Sequence, residues 1–133
     1  MQKIFVYGSL REGMYNYDKY LKGNSIFLGY GYVKGSLYSL KEVSYPAILE
    51  GKENILGEVY EIDDELLKEI DALEEYVPGD PNNDYNRILT TIYMQDGTTV
   101  LLPVYFFNLT KKENMERLNQ VITENDYVAY MNK

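Results

Sequence analysis

The sequence predicts an α+β domain, a compact and strongly curved or barrel-like mixed β-sheet with two or three helices set around it. Apolar, β-branched and aromatic segments follow one another at close spacing along most of the chain. Two segments with the 3.6-residue apolar period interrupt them. No internal repeat, low-complexity run or linker divides the 133 residues. A chain of that length suits one domain and buries a core without disulfide or metal help, so residues 1–133 read as a single unit.

Strands are expected at Ile4 to Tyr7, Ile26 to Lys34, Gly35 to Leu40, Ile55 to Ile62, Arg87 to Met94 and Thr98 to Phe107. The clearest hairpin is RILTTIYMQDGTTVLLPVYFF, where Asp96-Gly97 offers the positive backbone angles of a tight turn. Pro103 interrupts its second strand, which is therefore bulged there or lies at an edge. Gly23 to Ser25 and Lys41 to Pro46 read as loops. The first helix is DDELLKEIDALEEY, with Asp63 or Asp64 as N-cap and further acids in the first turn, where the helix dipole favours them. The second opens on Thr110-Lys111-Lys112-Glu113, a capping-box pattern, and runs through Met115 and Leu118 to about Ile122. Tyr15 to Leu21 adds a short helical turn.

Composition prunes the chemistry. Cysteine and histidine are both absent, which removes thiolate nucleophiles, histidine bases, Ser-His-Asp triads and the usual zinc sites. Acid-base work falls to carboxylates, lysines or tyrosines, and no metal site or cofactor is expected. A net charge of −8 and a pI near 4.5 argue against a nucleic-acid partner, whose affinity comes from clustered cations. No apolar run reaches the roughly 20 residues of a membrane span, and no signal-peptide pattern opens the chain, so a cytoplasmic location is expected. Fifteen tyrosines against four phenylalanines and no tryptophan imply many rings that keep a polar end hydrogen-bonded.

Two places invite a functional reading. In IFVYGSLREG a buried strand ends abruptly in a glycine loop with accessible amides. A P-loop would need Gly-Lys-Ser/Thr, whereas Gly13 is followed by Met14 and Tyr15; an ordinary turn leaving the core also fits the pattern. On the first helix, at about 100° per residue, Leu66, Ile70 and Leu73 form a narrow stripe that Leu67 widens, and Glu74 falls between Ile70 and Leu67. A carboxylate there is paired, protonated or functional, or it turns outward at a frayed helix end. Glu75 projects the opposite way, with Lys68. Arg87 reads either as a surface charge or as a planar donor that positions an acidic segment or a substrate carboxylate.

YGSLREG, GSLYSL followed by YPAI, GEVYEI, IDALEEY followed by PGDP, YNR and VYFFN occur in the order seen in the gamma-glutamylcyclotransferase-like family, which the chain resembles from Phe5 to about Phe107. The resemblance implies a barrel-like fold with helices and a pocket between the Tyr-Gly-Ser-Leu loop and one glutamate. It matches Glu74 to the catalytic glutamate, Tyr7, Gly8, Ser9 and Leu10 to the substrate loop, and Tyr105 to a pocket tyrosine. Glu75 stands where the family often has glycine, and the segment from Pro81 to Tyr85 is shorter than its commonest form. The implied reaction closes a gamma-glutamyl compound to 5-oxoproline and expels an amine, with a small molecule as partner. A non-catalytic module that binds an amino acid derivative on the same scaffold is the alternative, and the leaving amine and oligomeric state stay open.

Overall fold

The apolar segments assemble into one antiparallel sheet in the computed structural model, which describes residues 1–41, 43–74 and 76–132. Its strands are β1 (Gln2–Val6), β2 (Ile26–Leu40), β3 (Pro46–Ile62), β4 (Tyr85–Met94), β5 (Thr99–Phe107) and β6 (Leu118–Val121). The helices are α1 (Asp64–Leu73), α2 (Lys112–Arg117) and α3 (Tyr127–Met131), with a π-helical turn over Tyr17–Leu21 where a short helical turn is expected. Strand order is β1-β3-β2-β4-β5, and β6 pairs with β2 off that path. Every described pairing is antiparallel, simpler than the mixed sheet expected.

Both faces of the sheet are covered. Ile4, Val6, Tyr60 and Ile62 pack against Leu66 and Ile70 of α1, while their neighbours Phe5 and Val59 point into a second cluster with Val33, Ile48, Ile92 and Val104. Successive residues of a strand face opposite sides; α1 covers one set, and the other, drawn from β1 to β5, packs on itself inside the curve of the sheet. The outer strands accordingly approach each other at their ends: the Tyr7 hydroxyl, just past β1, donates to the Tyr105 carbonyl of β5 over 2.6 Å.

The local structure departs from expectation where tertiary pairing outweighs local signals. The two segments expected from Ile26 to Leu40 form a single long strand, with register shifts at Phe27/Gly29 and Gly35/Ser36. Its partner β3 begins at Pro46 instead of Ile55, since Ala47 and Ile48 are fully buried opposite Tyr38 and Leu37; the exposed Glu50 to Glu53 run conceals this strand from a period-2 reading. The second helix stops at Arg117, and the residues beyond it pair with β2 as β6. Met115, within this helix as expected, is exposed. The capping box does not form: Lys111 is the N-cap without a side-chain bond, and the Thr110 hydroxyl donates instead to Asn108 Oδ1 over 2.6 Å. In the β4–β5 hairpin only Gly97 has a positive φ, closing a three-residue turn, and Asp96 does not share it. Pro103 sits on β5, the last strand of the order, where a proline is tolerated. Asp63 caps α1, accepting from the Leu66 amide over 2.8 Å.

Candidate active site

β1 ends at Val6, and the chain then turns sharply, with the Arg11 amide donating to the Gly8 carbonyl over 3.0 Å. Asn16 ties the turn from below, its side chain donating to Ser9 Oγ over 2.9 Å and its amide to the Ser9 carbonyl over 3.1 Å. A Cβ on Gly8 would stand 2.8 Å from Pro46 Cδ and 2.9 Å from Cγ, so this glycine is required by contact with the proline ring. Among the described residues, the amides of Ser9 and Leu10 make no hydrogen bond to the protein.

Beneath the loop lies a buried ion pair that sequence reasoning missed. Glu58 accepts from Arg11 Nε and from the Glu12 amide, each over 2.8 Å, and from the Tyr60 hydroxyl over 2.7 Å. Arg11 also reaches Asp126 Oδ1 at 2.5 Å, and Asp126 caps α3 through the Ala129 amide. Strand periodicity holds the missed signal: Glu58 shares its face with Tyr60 and Ile62, which point inward.

Tyr7, Gly8, Ser9 and Leu10 border a cavity of about 410 Å³. Glu74, just beyond the last turn of α1, faces it, together with Tyr105 of β5. The candidates Tyr7 to Leu10, Tyr105 and Glu74 therefore meet around one space. Tyr85, whose hydroxyl donates to the Pro46 carbonyl over 2.7 Å, also lines it, as do the charged side chains of Lys19 and Asp84. Arg87 is not among the lining residues; its Nη1 lies 2.7 Å from Asp71 Oδ2. The expectation for Glu75 lies outside the described residues.

Glu74 keeps its place in the apolar stripe because its amide still bonds to the Ile70 carbonyl over 3.0 Å. It is half-buried, and burial first, then the nearby Asp71 charge, push its carboxyl up to about 7. Around it stand phenols instead of cations. Tyr7 and Tyr105 are both raised above the ordinary tyrosine value, chiefly by burial, with Glu74 contributing to each. Burial alone would raise Asp84 too, but Lys111 and Arg117, at 2.8 and 3.2 Å, hold it below the usual carboxylate range. Among the described residues, no group of three or more acidic side chains is arranged to hold a metal ion. No described helix is long and apolar enough to cross a membrane.

The family model for gamma-glutamyl cyclotransferase, AIG2-like, matches residues 4–129. The chain belongs to this family. A Methanocaldococcus jannaschii relative that carries a gamma-glutamylcyclotransferase name is 39% identical over 109 residues, covering 80% of this chain and 85% of its own length. The Gamma-L-glutamyl-butirosin B gamma-glutamyl cyclotransferase of Niallia circulans is 40% identical over 99 residues, 74% of this chain but 62% of that enzyme. Among solved structures, a mouse AIG2-like protein superposes with a TM-score of 0.71 at 25% identity, covering 92% of this chain and 88% of that one. As a member of the gamma-glutamyl cyclotransferase, AIG2-like family, the chain shares its curved sheet.

Proposed function

We propose that the chain is a gamma-glutamylcyclotransferase that converts a gamma-glutamyl amine or gamma-glutamyl amino acid to 5-oxoproline and a free amine, with Glu74 carrying the proton. The observation that supports this most is the Glu74 carboxyl, pushed up to about 7 at the wall of the cavity that the Tyr7 to Leu10 loop borders.

The substrate's α-amine attacks its own γ-carbonyl carbon, a C–N bond closes the five-membered ring, and the original bond to the departing nitrogen breaks. Attacking and attacked atoms belong to one molecule, so the site's main task is to hold the folded conformer. Glu74 takes a proton from the attacking nitrogen and gives one to the leaving nitrogen, a dual task suited to a group with a near-neutral midpoint. The Ser9 and Leu10 amides are available to the oxygen that becomes negative when the carbonyl turns tetrahedral. One such donor contributes on the order of 3 kcal/mol. Ring closure consumes neither water nor a cofactor.

The test is incubation with a panel of gamma-glutamyl amino acids and gamma-glutamyl amines, reading 5-oxoproline by mass spectrometry. Formation from one class with equimolar amine release is the expected result. Saturable binding of the panel without any 5-oxoproline would replace this reading with that of a binding module.

A further inference from the structure

The end of α1 that presents Glu74 is fastened from outside the helix. Arg87, near the start of β4, places Nη1 2.7 Å from Asp71 Oδ2, and its guanidinium lies 5.0 Å from the Tyr76 ring centre. The other oxygen, Asp71 Oδ1, accepts the Tyr105 hydroxyl from β5. One carboxylate thus joins α1, β4 and β5 at the edge of the cavity. Asp71 precedes Glu74 by three positions, the spacing of neighbours on a helical surface. Tyr105 borders the cavity, and its backbone carbonyl receives the Tyr7 hydroxyl, so its ring and main chain are both fixed.

We propose that Asp71, held by Arg87, is the positioning residue of this site: it fixes the Tyr105 phenol against the cavity and sets the charge that Glu74 faces. The inference rests on Glu74 as proton carrier. An ion pair that merely stapled β4 to α1 would engage the two charged groups and need no third partner. Here the second oxygen is turned to a tyrosine of the cavity wall.

The two members of the pair act on Glu74 in opposite senses. The Asp71 anion works against ionisation of Glu74, while Arg87 partly offsets that anion. The remaining groups around the carboxyl are Tyr7 beyond β1, Tyr85 of β4 and Tyr105 of β5; all three phenols are held above their ordinary value and stay neutral around pH 7. Lys19 and Asp84 are the other charged side chains lining the cavity, and both are unchanged in the variants below.

The experiment follows the Glu74 carboxyl by carbon-13 NMR in the wild type, Asp71→Asn, Arg87→Gln and Arg87→Lys, alongside the pH dependence of kcat/KM. Asp71→Asn should lower the Glu74 midpoint and Arg87→Gln should raise it, each by about one pH unit. Arg87→Lys should restore the wild-type midpoint, and the acid limb of kcat/KM should move with the NMR titration. Should Asp71→Asn fail to fold, a raised midpoint in Arg87→Gln beside a wild-type midpoint in Arg87→Lys still decides the matter. Unchanged midpoints, or shifts of the same sign in the Asp71 and Arg87 variants, overturn the proposal. Because the carboxyl titration needs no turnover, that failure is separable from failure of the cyclotransferase reading, which shows as absent 5-oxoproline in the wild type.

Discussion

Arg11 donates through Nε to Glu58 Oε2 over 2.8 Å, and both side chains are almost entirely withdrawn from solvent, at 5% and 2% exposure. Removing one member of such a pair strands the other without water. Glu58→Ala should therefore cost about 3–5 kcal/mol of stability, read from denaturant unfolding. Loss below about 1 kcal/mol would mean that Asp126 alone satisfies Arg11.

Glu74→Gln should abolish 5-oxoproline formation while preserving the fold, because the amide has nearly the same shape and carries no exchangeable acid proton. The same variant has a stability signature. The folded-state carboxyl is raised from 4.5 to about 7, so between those values the folded protein holds more proton than the unfolded chain. Stability contributed by this group is thus complete below about 4.5 and is lost as pH rises to about 7. Wild type should lose stability relative to Glu74→Gln across that window, by no more than about 3 kcal/mol, the ceiling that the displaced midpoint sets. Parallel stability curves for the two proteins would contradict the raised midpoint.

Gly8→Val is expected to act through Pro46. The added carbon meets the proline ring at less than 3 Å, so the loop or the start of β3 must shift. Thermal unfolding should show a loss of about 1–3 kcal/mol, with kcat/KM falling further than that loss explains. An unaltered melting temperature with unaltered activity would show that the loop yields freely.

The acid limb of kcat/KM should lie near 7, where the Glu74 base form is half-populated. Turnover should also survive EDTA, because lactam closure needs no Lewis acid. Activity lost on chelation and regained with a divalent cation would require a different mechanism.

The loop, the glutamate and the tyrosine at the cavity were legible because each leaves a local mark: a glycine after a strand, a carboxylate in an apolar stripe, a family motif. Periodicity put Glu74 in the apolar stripe, since Leu66 and Ile70 fix the phase of α1, but left open an outward turn at the helix end. Lys19 reaches the same cavity from a π-helical turn that no motif marks, while Tyr45 and Pro46 stand in the YPAI motif with nothing local to say that it meets the loop. β6 was hidden for a related reason. Leu118 to Val121 becomes a strand because β2 offers an unpaired stretch near Leu40, a partner 78 positions away that local propensity does not register. The Pro46 end of β3 likewise depends on its pairing with Ser39.

The Arg11–Asp126 contact spans 115 positions, and the Tyr127 hydroxyl reaches the Ser44 carbonyl over 2.6 Å. During synthesis, the residues around Arg11 and Ser44 leave the ribosome long before their fasteners. The loop that borders the cavity does not have its full set of contacts until the chain has been made past Asp126. Until then, the β1–β3 core can collect apolar contacts while the cavity walls are still loose. A nascent chain stalled short of Asp126 would thus present the same motif with Arg11 held by Glu58 alone.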